Sequence, residues 1–314
     1  IEHLLKPLLV GAPVLDIARH HERMRRALTG RSGGMLMEAI AGVDIALWDL
    51  AGKIAGQPLH RLLGGMGRAR VDAYASSINW ASDEEAVAET RAALALGFRQ
   101  IKVKIGRPVD RALRRAALVR DIAGADVKLS VDANWAFDLD EATMLARGLA
   151  PLGYTWFEEP IVPEDIEGYR LLRAKADVRL AAGESDFTAQ DARDLLATRA
   201  IGVVQPDVAR AGGVTETRRI ADLANAFHVA YAPHVGWSGA ICVAASLQLA
   251  AAQPNFLTFE CMVFDNPLRD RFLVDLVGDR TQLIDGQLEV PPGPGLGVEV
   301  DRAALAHHRA RPPA

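Results

Sequence analysis

Only two cysteines occur in 314 residues, Cys242 and Cys261, and no spacing motif joins them. That excludes a disulfide-stapled scaffold and points to a reducing, cytoplasmic setting. An excess of one charge is missing too. Thirty-six basic residues are scattered among 40 acidic ones, for a net charge near −4, which leaves no footprint for nucleic acid or an anionic membrane. No apolar run reaches the roughly 18 to 20 residues of a membrane span; even 238–252 is short and broken by Ser246 and Gln248. No signal peptide is expected, and no low-complexity segment is present. The chain opens at Ile1 without a methionine, so a beginning further upstream is expected.

What is there is a series. After Lys102 and Lys104 in IKVKIG come Asp132 in VDAN, Glu158 in WFEEP, Glu184 in AAGES, Asp207 in VQPD, His234 in APHVG and Glu260 in TFEC. Counted from Lys104, the gaps are 28, 26, 26, 23, 27 and 26 residues. A strand, a helix and two short loops take roughly 25 to 30 residues, so each polar group falls at the end of one βα unit. In a parallel barrel all strand ends of one sense meet at one mouth, where reacting groups gather.

Parity agrees with that placement, because side chains alternate across a strand. In Ile101-Lys102-Val103-Lys104-Ile105 the apolar residues share one face and both lysines the other. Ser130, Asp132 and Asn134 share one parity, as do Ala182 with Glu184, Gln205 with Asp207, Ala232 with His234 and Thr258 with Glu260. Cys261 has the parity opposite to Glu260 and reads as packing. Strands are predicted near 71–76, 101–106, 127–134, 154–160, 178–184, 201–207, 228–234 and 256–261, with seven helical stretches between them and no clear helix after the eighth. Residues 1–66 read as helical, with an apolar stripe of Ala39, Ile40, Val43, Ala46, Leu47 and Leu50. His20 and His21, set among arginines, read as solvated. Gly212-Gly213 reads as a turn before a helix rather than a phosphate loop. The organisation expected is a helical stretch over 1–68, a barrel over 69–282 and a return segment over 283–314 that packs on the first stretch.

Asp132, Glu158 and Glu184 end the third to fifth strands and are neighbours around the mouth. Clustered carboxylates repel one another unless a cation is present, and hard oxygen ligands on an open site suit Mg²⁺. Glu159 has outward parity and reads as a structural partner. Lys104 on the second strand and His234 on the seventh face each other across the barrel. Lys102 beside Lys104 is expected to lower its pKa by like-charge repulsion, making a base usable near neutral pH. Asp207 neighbours His234 and would orient its ring. Two opposed acid–base groups over a metal suit removal of a proton α to a carboxylate. Mg²⁺ and Glu260 would stabilise the enediolate, provided Glu260 is protonated or shares a proton with the substrate.

The motifs KVKIG, VDAN, WFEEP, AAGES, QPDVARAGGVTE, PHVGWSG and FE together resemble the mandelate racemase subgroup of the enolase superfamily, over about residues 35–300. That superfamily uses a lysine or histidine base with Mg²⁺. The resemblance implies an α/β fold, a modified TIM barrel (β/α)7β lacking its last helix, capped by an N-terminal α+β domain. Its capping strands and mobile loop are not found in this sequence, which starts in the helical part of that domain; either they are lost or the sequence is a fragment of a longer chain. It implies Asp132, Glu158 and Glu184 as Mg²⁺ ligands, and Lys104, tuned by Lys102, as one acid–base catalyst. His234 with Asp207 is the other, and Glu260 is the partner of the substrate carboxylate; Asn134 and Lys102 join Glu260 in substrate binding. The expected partner is a small carboxylate, an acid sugar, in a homo-oligomer that binds neither nucleic acid nor membrane. The favoured outcome is dehydration to a 2-keto-3-deoxy acid, with epimerisation or lactone cycloisomerisation as alternatives from the same enediolate. A Schiff-base aldolase using Lys104 would not need three clustered carboxylates; a catalytically idle binding or scaffold protein is the reading if the missing capping strands are naturally absent, because an open mouth cannot exclude water.

Overall fold

Short runs of alternating or wholly apolar residues, separated by amphipathic stretches, form the strands and helices of a parallel barrel from Arg70 onward. A computed structural model describes residues 1–30, 32–78 and 81–308; residues 309–314 of the expected return segment lie outside the described residues. Four helices come first: α1 (Lys6–Leu9), α2 (Ile17–Arg25), α3 (Gly34–Ala55) and α4 (Leu59–Leu62). The barrel begins with β1 (Arg70–Ile78), α5 (Asp83–Ala95), β2 (Gln100–Lys104), α6 (Val109–Ala123), β3 (Lys128–Asp132) and α7 (Leu139–Leu149). It continues with β4 (Tyr154–Glu158), α8 (Ile166–Arg173), β5 (Leu180–Ala182), α9 (Ala189–Ala197), β6 (Val203–Val204) and α10 (Val214–Ala226). Then come β7 (Ala230–Tyr231), α11 (Ala240–Ala252), β8 (Phe259–Met262), a single turn α12 (Pro267–Asp270), β9 (Gln287–Glu289) and α13 (Arg302–His307). As expected, no full barrel helix follows β8 among the described residues. No helix among them is long and apolar enough to cross a membrane.

The parallel strands pair in the order β7-β6-β5-β4-β3-β2-β1-β8. Tyr231 N donates to Asn255 O at 2.9 Å and Leu257 N to Tyr231 O at 2.8 Å, which closes the ring between β7 and the approach to β8. Inside it, Tyr74, Trp156, Ala181, Val203 and Ala232 form a separate buried cluster, while the opposite parity packs on the outer helices. The later strands are shorter than the sequence predicts. Gly183 turns the chain at φ +119°, and Pro206 and Pro233 have no N–H for a ladder. Glu184, Asp207 and His234 therefore sit two or three residues beyond their strands.

The return segment meets the N-terminal helices. Leu59 N donates to Gly295 O at 2.8 Å, and Leu296 N donates to Asp49 Oδ1 at 2.9 Å. A Cβ on Gly52 would lie 2.4 Å from Gly295 Cα, so this crossing is built on two glycines. Before it, β9 pairs antiparallel with the start of β1.

Two expectations for the first helices need correction. The buried face of α3 is Met37, Ile40, Ala41, Asp44, Ile45, Ala51 and Gly52, whereas Ala46 and Leu50 of the predicted stripe are exposed. An aspartate at the centre of the buried face hid it from a hydrophobicity pattern. His20 and His21 are buried rather than solvated. Their Nε2 atoms lie 2.7 Å from Pro13 O and 3.1 Å from Gly212 O. A carbonyl oxygen can only accept, so each ring donates there through Nε2, while each Nδ1 is buried without a hydrogen-bond partner.

Asp44 fixes α3 to the barrel. It lies fully buried, with Oδ2 accepting from Thr215 N at 2.9 Å and Oδ1 from Thr215 Oγ1 at 2.6 Å. Trp48 Nε1 donates to the same hydroxyl at 2.9 Å. The residue preceding α10 is Gly213, which supplies no side-chain cap. A Cβ there would come within 2.5 Å of Asp44 Oδ2, and its φ is +90°. Asp44 thus caps α10 from another helix, satisfying an N–H that the helix cannot. Burial pushes its carboxyl up to about 7 against the pull of Thr215. A carboxyl whose folded pKa exceeds its unfolded one stabilises fully below the unfolded value, and that stabilisation fades as pH rises through the folded one. Thermal melts should therefore show wild type losing stability relative to Asp44→Asn between about pH 4 and about pH 7. A difference constant across that range would show that Asp44 does not take up a proton on folding.

Candidate active site

The ends of β2, β3 and β4, the strand β8 and the loops after β5, β6 and β7 converge, and the predicted residues meet there. Lys102 is 1% exposed, with Nζ 2.5 Å from Glu158 Oε1, 2.9 Å from Glu260 Oε1 and 3.6 Å from Asp132 Oδ2. Lys104 Nζ donates to Asp132 Oδ2, and to Asn134 Oδ1 at 2.8 Å. Its side chain is about a quarter exposed, the more accessible of the two lysines. Asn134 N in turn donates to Asp132 Oδ1 at 2.9 Å. The repulsion expected between the lysines is offset by these partners. Burial alone would lower the Lys102 pKa, but Glu158 and Glu260 raise it well above its usual value. Lys102 is thus the internal counter-ion of the carboxylates.

Asp132, Glu158 and Glu184 each offer an oxygen, and these atoms lie within 4.8 Å of one another. All three residues are buried. Asp132 is desolvated, yet Lys104 and Lys102 hold its carboxyl below the usual range. Glu158 is pushed up to about 7 by burial, with Asp132, Glu184 and Glu260 adding to it against Lys102. The second oxygen of Glu158 accepts from Gln205 Nε2 at 2.6 Å and from Trp156 Nε1 at 3.0 Å. Glu184 Oε2 is buried without a hydrogen bond. An oxygen-only cluster with an orphaned carboxylate oxygen fits a hard divalent cation, which such sites bind through one to three carboxylates and water or substrate.

On the far side, His234 Nδ1 lies 2.7 Å from Asp207 Oδ2. Its Nε2 is 3.5 Å from Glu184 Oε2 and 4.0 Å from Glu260 Oε2. Burial disfavours the imidazolium, but Glu260, the Asp207 hydrogen bond and Glu184 outweigh it and raise the pKa to about 10. Asp207 Oδ1 accepts from Ala209 N at 2.7 Å, with Cys242 Sγ at 3.8 Å. The carboxylate is therefore fixed from two sides. β2 and β7 are separated by β1 and β8 on one path round the ring and by β3 to β6 on the other. Lys104 and His234 accordingly stand across the mouth with the carboxylates between them.

Glu260 departs from the condition set by the sequence. Oε1 accepts from Ser76 Oγ at 2.6 Å as well as from Lys102, and Oε2 accepts from Val235 N at 2.6 Å. Burial favours the neutral acid, yet Lys102 and His234 hold Glu260 well below the usual carboxylate range. It is an acceptor here, not a proton donor. Glu159, as parity implied, points away from the mouth. It accepts from Trp135 Nε1 through Oε2 and from Gly183 N at 3.0 Å through Oε1. Asn134, Trp135 and Glu159 all have positive φ, at 42°, 63° and 44°. Such backbone strain costs roughly 1–3 kcal/mol per residue and gathers at functional sites.

Sequence reasoning did not assign Ser76 or Gln205 to the site. Gln205 shares inward parity with Asp207, so its polar side chain in an otherwise apolar strand was a usable signal. Ser76 shares a face of β1 with Tyr74, but the charged residues of that parity, Arg70 and Asp72, lie at the start of the strand and no charge marks its mouth end. The donation from Val235 N comes from the backbone and leaves no trace in residue type. Both cysteines are buried, as the packing reading of Cys261 required.

Comparison with known proteins adds to this geometry. Residues 1–64 match the mandelate racemase / muconate lactonizing enzyme N-terminal domain, and residues 85–304 match the enolase C-terminal domain-like family. D-galactarolactone cycloisomerase of Agrobacterium fabrum is 37% identical over 295 residues, which cover 89% of this chain and 76% of that protein. D-galactonate dehydratase of Xanthomonas oryzae is 34% identical, covering 99% of this chain and 84% of its own. Among solved structures, the 3,6-anhydro-D-galactonate cycloisomerase of Zobellia galactanivorans superposes with a TM-score of 0.90 at 33% identity, over 97% of this chain and 85% of that one. A racemase of Streptomyces coelicolor, determined with bound magnesium, superposes with a TM-score of 0.88 at 30% identity, over 98% and 82% of the two chains. With matches over both the helical N-terminal stretch and the barrel, the chain belongs to the mandelate racemase subgroup of the enolase superfamily.

Proposed function

We propose that this protein is a Mg²⁺-dependent enzyme that removes the proton α to the carboxylate of an acid sugar and expels the β-hydroxyl as water, giving a 2-keto-3-deoxy acid. The observation that carries the reading is the placement of Lys104 and the His234–Asp207 pair on opposite sides of a buried carboxylate cluster. Asp132, Glu158 and Glu184 would hold the ion, which supplies Lewis-acid stabilisation of charge developing on the substrate carboxylate. Lys104 takes the α-proton as the neutral amine, after its ammonium has left Asp132 and given a proton to water. Asn134 Oδ1, 2.8 Å from Lys104 Nζ, keeps that nitrogen directed. His234, charged through its carboxylate neighbours, donates the proton that turns the β-hydroxyl into a leaving water. Asp207 fixes Nδ1 as the buried ring nitrogen and leaves Nε2 for the substrate. Lys102 and Ser76 hold Glu260 so that the lone pair left on Oε2 beside Val235 N accepts from a substrate hydroxyl.

A second reading has support of its own. The cycloisomerase relatives in Agrobacterium fabrum and Zobellia galactanivorans are as similar to this chain as the dehydratase relative is. With a lactone or anhydro sugar as substrate, the same proton removal expels a ring oxygen instead of water, and the product is an isomer. Turnover of a panel of aldonates, aldarates and their lactones, followed by NMR, separates the two by whether the product mass falls by one water.

The metal reading gives a direct test. Loss of a hydrogen-bond partner to a metal ligand already costs roughly 10- to 100-fold in affinity, so loss of a ligand should cost more. Asp132→Asn and Glu184→Gln should each weaken Mg²⁺ binding by roughly 100-fold or more in calorimetry, and abolish turnover. Wild-type affinity in either variant removes that residue from the ligand set.

The acid–base pair gives another. With an acid sugar in D₂O, His234→Asn should still exchange the α-proton of the epimer that Lys104 serves, while dehydration falls by roughly 10²- to 10⁴-fold. Lys104→Ala should lose that exchange, and Asp207→Asn should resemble a weaker His234 variant. Exchange of the same epimer by both single variants would contradict their opposed placement.

A further inference from the structure

The loop after His234 holds features the reaction above does not use. Val235 N anchors Glu260, and a Cβ on Gly236 would lie 2.7 Å from His234 Nε2, so the glycine leaves the imidazole its room. Trp237 follows with φ +54° and 73% of its surface exposed. A bulky residue in the left-handed region is strained, and an indole left largely in water gains little from burial to offset that. Asn266 Nδ2 holds the turn, donating to Ser238 O at 3.2 Å and Trp237 O at 3.4 Å. The indole leans on Phe264, with ring centroids 4.1 Å apart and planes tilted by 37°. Both rings line a cavity of about 650 Å³ that Lys104 also lines, with Glu89 and Ala92 of α5, Leu96 just after it and Arg280 in its wall. Arg280 is itself tied to Val263 O, and to Asp265 Oδ1 at 2.6 Å, so its charge is already partnered. The aromatic pair gives this cavity its ring faces.

We propose that Trp237 and Phe264 form the wall against which the carbon chain of the substrate lies beyond its reacting centre, making them determinants of substrate length and not of chemistry. This rests on the acid-sugar reading. A sugar acid carries a row of C–H groups on one side and hydroxyls on the other. An aromatic face, negative at its centre, takes the C–H side and leaves the hydroxyls to water. Lys104 lines the same cavity as the rings, so a chain whose α-carbon is at Lys104 Nζ can extend into it. A two-carbon hydroxy acid would reach the carboxylate cluster and Lys104 but not the rings.

The test is the dissociation constant of gluconate, a six-carbon chain, against that of glycolate, a two-carbon one, by calorimetry at saturating Mg²⁺. Trp237→Ala and Phe264→Ala should each weaken gluconate about tenfold, the effect of about 1.4 kcal/mol of stacking and burial. Both should leave glycolate within about twofold of wild type, and Trp237→Phe should recover most of the loss. Unchanged gluconate binding in both alanine variants overturns the wall, as does an equal loss for both acids, which would mean that the loop merely supports His234. If wild type binds gluconate no better than glycolate while exchanging the α-proton of an acid sugar, the wall falls and the functional reading stands. If wild type exchanges the α-proton of no acid sugar, the functional reading falls and takes the wall with it.

Discussion

Confining several carboxylates to one barrel mouth is the constraint on which the rest of this structure depends. Asp132, Glu158, Glu184, Asp207 and Glu260 are all buried, and the cations among them are Lys102, Lys104 and His234 in its charged form. Even with every one of those groups charged, two negative charges are left over, which is the charge of one divalent ion. Isolated carboxylates in such surroundings would take up protons, and the raised pKa of Glu158 is that tendency at work. Lys102 restrains it from inside, touching Glu158 and Glu260 at 2.5 and 2.9 Å. A lysine at this position is therefore as much a requirement of folding as of chemistry. Taking one partner from a buried ion pair costs roughly 3–5 kcal/mol.

The strand breakers have their reason in the same constraint. A charged residue inside a regular strand is bound to its ladder and its parity. Gly183, Pro206 and Pro233 release the chain just before Glu184, Asp207 and His234, so these groups can turn toward the cluster rather than follow the pleat. The isolated bridge between Asp207 and His234 shows two loops still in parallel register after their strands have ended. Beneath them the interior is filled by Tyr74 and Trp156 in edge-to-face contact with centroids 5.5 Å apart, which gives the polar layer a rigid floor. Strain is kept where it positions something: the left-handed backbone at Asn134 puts its amide oxygen on Lys104, and that at Glu159 turns its carboxylate to Trp135 and Gly183.

Much of this was legible in the sequence because it repeats. Regular spacing of polar groups after apolar strands located the mouth, and parity sorted Glu158 from Glu159. What could not be read was polar chemistry buried where a pattern calls for apolar residues. Asp44 lies on the core face of α3, so a hydrophobic stripe drawn without it came out rotated. His20 and His21 were judged by their arginine neighbours along the chain, whereas their surroundings are set by Pro13 and by Gly212, the latter 191 residues away. The charge state of Glu260 escaped for a related reason. It depends on Ser76, Lys102 and the backbone of Val235, which come from three different strands or loops and meet only in the fold.

The proposed function requires that the excess negative charge of the mouth be reserved for a single divalent ion held by Asp132, Glu158 and Glu184, with Lys102 remaining as the internal counter-ion. Crystals grown with Mn²⁺ and measured at its absorption edge test this directly. The account predicts one anomalous difference peak in the mouth, bonded to an oxygen of each of those three residues, with Lys102 Nζ still on Glu260. A peak elsewhere in the barrel, a second peak in the mouth, or no peak at millimolar Mn²⁺ would contradict it.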